Sequence, residues 1–180
     1  MNTLSRVAQI HHQYLKTELS SVLGIDGIYR LYEILDKEAT SEIITYSKLD
    51  CISAFCCITK DYRKTSRCVA QILSLKIVMS LIFNFNFYCD ILFKKYWAIK
   101  FKNNNDIYIL TLVKVNNDFT SQEIIKSIEL SAFKNKISKI WVDTRRDNVR
   151  ALKFYQKLGF KIVARSPISY LLHKSLINNA

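Results

Sequence analysis

The amino-acid sequence predicts a single domain of the α/β or α+β class, built around a sheet with both parallel and antiparallel strands. Residues 43–59 show the pattern of an apolar hairpin, whose two strands run antiparallel. Residues 107–142 show the order strand, helix, strand, which gives a parallel pair joined by a right-handed crossover. Because the chain has 180 residues with only 3 Gly and 1 Pro, we expect one domain over residues 1–180 with long helices and strands.

The first sixty residues predict two helices followed by the hairpin. Apolar side chains recur at helical spacing from Leu4 to about Thr17 and from Ile28 to Asp36. The run Ile43–Ser47 is typical of a strand, and its partner Cys51–Thr59 is apolar almost throughout. We therefore expect the second strand of the hairpin to be buried on both faces.

Residues 61–99 predict a helical insert of one or two helices, with Asp61 as the N-cap. The insert contains the most apolar run of the chain, residues 77–89. Lys76 and Asp90 bracket this run, so it is shorter than the ~20 apolar residues that a membrane-spanning helix needs. A buried helix, or one that forms a homodimer, is the favoured interpretation. Peripheral membrane contact is the alternative, because several lysines follow the run: Lys94, Lys95, Lys100 and Lys102.

The rest of the chain predicts the strand–helix–strand unit, a further helix and two final strands. The predicted strands are Ile107–Val115, Lys139–Asp143, Phe160–Ala164 and Ser169–Lys174, and the predicted helices run from Gln122 to about Asn135 and from Asn148 to Leu158. Gly159 follows the last helix, where a left-handed residue commonly ends a helix.

The charge of the chain is uneven. Its net charge is +12, and residues 61–180 carry 21 Lys and Arg against eight Asp and Glu. The positive electrostatic field of such a segment attracts an anionic partner. The partner could be a phosphorylated cofactor, an acidic carrier protein, nucleic acid or a lipid surface. Charge alone does not choose among these, and a solvated basic surface is an equal alternative. Nucleic acid is disfavoured, because few aromatic residues are interleaved with the basic ones.

The cysteines and histidines predict neither disulfides nor a metal site. The five cysteines are odd in number and lack paired C-x-x-C spacing, so we expect small core residues in a reducing compartment. No acidic or cysteine pattern joins His11, His12 and His173, and we predict no metal. The N-terminus lacks the apolar segment of a signal peptide, which predicts a cytoplasmic protein.

The segment 147–160 carries a pattern of fixed positions on and around the predicted C-terminal helix. These positions are Asn148, Ala151, Phe154, Tyr155, Gly159 and Phe160. The pattern N-x-x-A-x-x-F-Y-x-x-x-G-F resembles the C-terminal signature of the GNAT (GCN5-related N-acetyltransferase) family. The resemblance implies a mixed, mostly antiparallel sheet flanked by helices, with the insert before the central strand. It also implies acetyl-CoA or another acyl-CoA as co-substrate. The first strand of the family is short or missing here.

The resemblance implies that Tyr155 is the catalytic residue. The family often uses this position to give a proton to the departing thiolate, and a phenol beside a thioester sulfur suits that role. The alternative is a core aromatic residue next to Phe154. Asn148 would cap its helix or bind the pantetheine arm.

In the family, the acyl donor lies in a V-shaped opening between two strands. The resemblance puts that opening between the strand that ends at Val115 and the strand at Ile140–Val142. Backbone N–H groups near Val113 to Val115 would hold the oxyanion of the thioester carbonyl.

The family binds the pyrophosphate of coenzyme A with a loop of the form R/Q-x-x-G-x-G/A. Aligned without gaps, that loop corresponds to Thr120, Ser121, Gln122, Glu123, Ile124 and Ile125. Both glycines are replaced, by Glu123 and Ile125, and we expect their side chains to obstruct a phosphate. Thr120 and Ser121 still offer hydroxyl groups, and Lys126 offers a cation. Either the backbone of this loop still binds coenzyme A, or the loop has lost that role.

Three functions remain open at this point. The first is an N-acyltransferase that moves an acetyl or acyl group from acyl-CoA to a small-molecule amine by direct attack. The second takes its acyl group from acyl carrier protein, whose acidic surface suits the basic segment. The third is an inactive GNAT-like binding subunit. No general base is assigned, although Glu42 and the ends of the hairpin strands are possible positions.

Overall fold

Six strands form one mixed sheet in the part of the protein that the structure, a computed structural model, describes. The described residues are 2–15, 18–48, 51–67, 85–100, 106–115 and 121–176. The helices are α1 (Thr3–Tyr14), α2 (Glu18–Lys37), α3 (residues 62–67), α4 (Phe85–Lys100), α5 (Ser121–Lys134) and α6 (Val149–Lys157). The strands are β1 (Ser41–Lys48), β2 (Cys51–Thr59), β3 (Asp106–Lys114), β4 (Lys139–Arg145), β5 (Lys161–Arg165) and β6 (Ser169–Ser175).

The sheet has the strand order β1-β2-β3-β4-β6-β5. β3 and β4 are parallel, with α5 as their crossover, and the other neighbouring strands are antiparallel. The predicted class and the predicted strand–helix–strand unit are therefore confirmed. Among the described residues before Ser41 there are helices and no strand, which agrees with the missing first strand of the family.

Helices cover both faces of the sheet. On one face, α5 contributes Ile124, Ile125 and Ile128, all at most 1% exposed, to a core that also includes Tyr155 of α6. On the other face, α1 and α2 pack over β2. Every residue of β2 from Ile52 to Thr59 is buried, which confirms the prediction of a strand covered on both sides. Burial of each of the three α5 isoleucines contributes roughly 1.5–3 kcal/mol to the stability of the folded protein.

Two predictions for the first half of the chain need correction. Helix α2 contains a break at Gly24, whose φ of 65° and ψ of −179° are not helical, as expected of a glycine that interrupts a helix. The helical residues between Glu18 and this break were not predicted, and the second segment begins nearer to Gly24 than the predicted start at Ile28. Cys51 is exposed at the first position of β2, whereas Cys56 and Cys57 are the predicted small core residues. Cys68 lies outside the described residues.

The insert packs on the sheet through α4. Trp97 of α4 is 2% exposed and contacts the core formed by Tyr108, Trp141 and Leu171. Asp61 accepts a hydrogen bond of 2.9 Å from the N–H of Lys64, which confirms it as an N-cap. Most of the apolar run 77–89 lies outside the described residues. Within the described part of the chain, no helix meets the length and apolarity that crossing a membrane requires.

Candidate active site

The parallel strands β3 and β4 pair over only part of their length. The pairs run from Asp106 with Lys139 to Ile109 with Val142. β3 then continues along β2, and β4 continues along β6 as far as Arg145. The second halves of the two strands therefore diverge and leave an opening in the sheet, at the position that the sequence predicts.

A β-bulge marks the point where β3 leaves β4. Opposite β3, Cys57 pairs with Thr111 and Ile58 pairs with Ile109, so Leu110 has no partner on β2. A bulge bends its strand and increases the local twist. Because Leu110 directly follows the last residue paired with β4, the bend turns the rest of β3 away from β4. The opening is thus part of the sheet itself.

The backbone N–H groups of β3 divide between the sheet and the opening. The N–H of Val115 donates to the carbonyl oxygen of Ser53 on β2 at 2.8 Å. Alternation along an antiparallel ladder turns the N–H of Val113 toward β2 as well. The N–H groups of Leu112 and Lys114 consequently point toward the opening. The predicted donors Val113 and Val115 are therefore corrected by one residue, because the ladder with β2 already uses them.

Tyr155 has the packing of a core aromatic residue. It is 6% exposed, and its ring contacts those of Phe154 and Phe160 at centroid distances of 5.2 and 5.4 Å. Burial raises the pKa of its phenol well above the ordinary value, and the neighbouring Cys56 and Asp143 raise it further. These two residues belong to β2 and β4, the strands on either side of β3. A catalytic role requires the opening to bring a ligand sulfur beside this hydroxyl group.

The signature residues around Tyr155 hold its helix at both ends. The side chain of Asn148 accepts a hydrogen bond of 3.0 Å from the N–H of Ala151, which is the predicted cap. At the other end, Gly159 has a φ of 87° and its N–H donates to Gln156. The N–H of Phe160 donates to the carbonyl of Tyr155 at 3.0 Å, which completes a Schellman motif. The signature therefore fixes Tyr155 against the sheet.

The predicted pyrophosphate site falls at the start of α5. Thr120 lies outside the described residues, and Ser121 begins the helix. Glu123 is exposed in the first turn, where a carboxylate suits the positive end of the helix dipole. Ile124 and Ile125 are buried in the core. The side chain of Ile125 therefore turns toward the sheet, and the expected obstruction of a phosphate at this position stays a prediction.

The other residues predicted at this site are exposed. Gln122 and Lys126 both face solvent on α5. Lys126 also lines a surface hollow of about 450 Å³ between α5 and the end of β6. Ser175, which lines this hollow, is paired with Lys139 of β4, and Lys139 is paired with Asp106 of β3. These residues lie at the end of the sheet where β3 and β4 are still paired, so the hollow lies away from the opening.

An acidic residue that the sequence does not single out lies where the opening begins. Asp143 is the first residue of β4 beyond its last pair with β3, and its side chain is 21% exposed. The hydroxyl of Tyr108 donates to one of its oxygens. The Nζ of Lys94, on α4, lies 2.8 Å from the other oxygen. The only sequence signal for this site is an acidic residue that directly follows the buried run Ile140–Val142.

The carboxylate at position 143 is better placed than Glu42, the earlier candidate base. Glu42 is exposed on the edge strand β1, and both β2 and β3 separate that strand from the opening. Among the described residues, no group of three or more His, Cys, Asp or Glu side chains is arranged to hold a metal ion.

The strand order, the parallel β3–β4 pair and the opening after it define a GNAT-like fold. The chain is similar to the ribosomal-protein-S18-alanine N-acetyltransferase from Escherichia coli, with 9% identity, a TM-score of 0.61, and coverage of 100% of this chain and 93% of that chain. It is also similar to aminoglycoside 6'-acetyltransferase type Ii, with 12% identity, a TM-score of 0.62, and coverage of 98% and 92%.

A third similar structure contains a ligand. It is the PaiA N-acetyltransferase from Thermoplasma acidophilum in complex with coenzyme A, with 10% identity, a TM-score of 0.60, and coverage of 96% of this chain and 92% of that chain. Neither a protein-family model nor a curated protein sequence matches the chain. At such low identities, these similarities establish the fold.

Proposed function

We propose that the protein is an N-acyltransferase that transfers an acetyl or other acyl group from acyl-CoA to an amine. The observation that carries this proposal is the opening between β3 and β4, with Asp143 at its start and Tyr155 within electrostatic reach. Structures of the same fold include acetyltransferases, one of them in complex with coenzyme A.

The residues present fit the donor. The N–H groups of Leu112 and Lys114 face the opening, and they suit the carbonyl oxygens of a pantetheine arm and of the thioester. The pyrophosphate suits the N-terminus of α5 at Ser121 and Gln122, because the positive end of a helix dipole favours an anion. Because Ile125 points into the core, the missing glycine at that position does not prevent this contact. Thr120 and Lys126 remain predicted contacts.

Asp143 and Tyr155 would divide the proton chemistry. The carboxylate of Asp143 orients the amine and takes its proton as nitrogen attacks the thioester carbonyl carbon. Tyr155 remains protonated at neutral pH because burial raises its pKa. A thiol has a pKa of about 8.5, so full proton transfer from this phenol to the thiolate is uphill. Tyr155 therefore acts as a hydrogen-bond donor to the leaving sulfur.

The proposal is tested by ligand binding and turnover on the full chain. At 100 times its dissociation constant, acetyl-CoA should stabilise the folded protein by about 2.7 kcal/mol, measured as a rise in melting temperature. Release of free thiol in the presence of an amine panel then reports transfer. Tyr155→Phe should bind acetyl-CoA but release thiol more slowly. If acetyl-CoA and longer acyl-CoA esters neither stabilise the protein nor release thiol, the proposal is refuted.

Two rival functions have an observation in their favour. Glu123 is exposed at the start of α5, and residues 61–180 are strongly basic, which favours acyl carrier protein as the donor. Faster transfer from the acylated carrier than from acyl-CoA would support that rival. The burial of Tyr155 favours an inactive binding subunit, and absence of transfer from both donors would support that one.

A further inference from the structure

Lys94 forms an ion pair with Asp143, the carboxylate that the proposed function assigns to the amine substrate. Its Nζ lies 2.8 Å from a carboxylate oxygen of Asp143, and its side chain is 30% exposed. Asp143 is itself the first residue of β4 after the strand separates from β3. A primary amine of the chain is thus paired with the carboxylate at the start of the opening.

Packing on both partners holds this pair in place. Trp97 lies three residues after Lys94 on α4, on the same side of the helix, and is buried against Tyr108 and Trp141. The hydroxyl of Tyr108 also donates to the second oxygen of Asp143. The neighbouring Lys95 is exposed on α4. The helix therefore directs one lysine toward the opening and the next one toward solvent.

We propose that Lys94 is a site of self-acylation, and that its amine accepts the acyl group from an acyl-CoA bound to the same chain. This inference rests on the proposed function, because it uses the same donor and the same carboxylate. The acceptor class is a primary alkylammonium group, and the donor class is an acyl thioester.

The reaction balances without a further reactant. The Lys94 ammonium releases one proton to solvent, and the freed nitrogen lone pair forms a bond to the thioester carbonyl carbon while Asp143 accepts a second proton from the same nitrogen. The carbon–sulfur bond breaks, and the electron pair leaves with sulfur, which accepts a hydrogen bond from Tyr155. Asp143 then gives its proton back to solvent and the thiolate takes one up, so the products are an N-acyl lysine, a free thiol and one proton. The modified side chain has lost its charge, so its ion pair with Asp143 is abolished.

The test uses the purified full chain with isotopically labelled acetyl-CoA and peptide mass spectrometry. We expect at least about tenfold more acetyl group on Lys94 than on Lys95, as positioning of an intramolecular amine predicts. The rate per chain should not depend on protein concentration. Asp143→Asn should reduce the label on Lys94, and Lys94→Arg should remove it while a positive charge stays beside Asp143. Lys95→Arg is the matched control and should leave the label on Lys94 unchanged.

The outcomes separate this inference from the proposed function. If an added amine is acetylated but Lys94 is not, self-acylation is overturned and the acyltransferase proposal stands. If acetyl-CoA neither stabilises the protein nor releases thiol, both proposals are overturned. Equal labelling of Lys94 and Lys95, or the same labelling in heat-denatured protein, would mean nonenzymatic acetylation and would also overturn the inference.

Discussion

The two halves of β3 differ although they belong to one strand. Its first four residues, Asp106–Ile109, pair with β4 and are all buried. Beyond the unpaired Leu110, β2 is the one strand among the described residues that pairs with β3, and most residues in this half are partly exposed. The first half holds the sheet together, whereas the second half leaves N–H groups directed toward an opening. Stability and the proposed chemistry are thus assigned to adjacent parts of the same strand.

The largest expected effect concerns activity at the open half. Asp143→Asn keeps the shape of the side chain but removes the charge that accepts the amine proton. We expect kcat/KM to fall by roughly 10²–10⁴-fold, with a smaller loss of stability from the broken ion pair with Lys94. Steady-state thiol release and thermal unfolding measure the two quantities. Unchanged kcat/KM would remove Asp143 from the chemistry.

A substitution in the paired half of β3 should reduce the stability of the protein rather than its activity alone. Ile109→Ala removes a side chain that is 2% exposed, and we expect a loss of about 2–5 kcal/mol in the free energy of unfolding. Leu112→Ala, in the open half, removes a partly exposed side chain and should cost less. Chemical denaturation followed by circular dichroism compares the two variants. Equal losses of unfolding free energy in the two variants would contradict the division of β3 into a stabilising half and an open half.

A third prediction concerns pH and the helical layer over β2. Burial, and then the charge of His12, lower the pKa of His11 to about 4, and its Nδ1 lies 2.7 Å from the hydroxyl of Tyr32. The folded state favours the neutral ring, so this stabilisation is complete above the unfolded pKa of about 6.5. It is lost as the pH falls from there toward about 4, by at most about 3 kcal/mol.

The pH dependence of the unfolding free energy checks this prediction. Burial also lowers the pKa of His173, so this residue contributes to the wild-type slope in the same range. His11→Gln should flatten the slope, and His173→Gln should leave the larger part of it. An unchanged slope in the His11 variant would show that the ring does not titrate in this way.

The smallest expected effect lies at the start of α6. Asn148→Ala removes the cap on the N–H of Ala151 and should cost about 1 kcal/mol of stability. Asn148→Asp keeps the acceptor and should retain most of that stability. If Asn148→Ala weakens the free energy of acetyl-CoA binding by more than it lowers the free energy of unfolding, Asn148 also binds the pantetheine arm.

The sequence allows most of the fold to be predicted, because its elements follow local patterns. Apolar periodicity marks α5 and β2, and the signature from Asn148 to Phe160 marks a helix with both of its ends. The helical residues that precede the break at Gly24 could not be predicted, since a glycine marks a break without showing whether the residues before it are helical.

The site was less predictable, because it depends on register and on distant segments. The bulge at Leu110 follows from how β2 and β3 align, which no local pattern encodes. For the same reason, the sequence points to Val113 and Val115 as donors, one residue away from those that face the opening. The contact of Lys94 with Asp143 joins the insert to β4 and exists only in the folded chain.

The most direct test of the central claim is residue-resolved amide hydrogen exchange of β3 with and without coenzyme A. We expect coenzyme A to slow exchange at Leu112 and Lys114. We expect Val113 and Val115 to exchange slowly in both conditions, because β2 already protects them. No change at Leu112 and Lys114 at a saturating concentration of coenzyme A would contradict binding in the opening between β3 and β4.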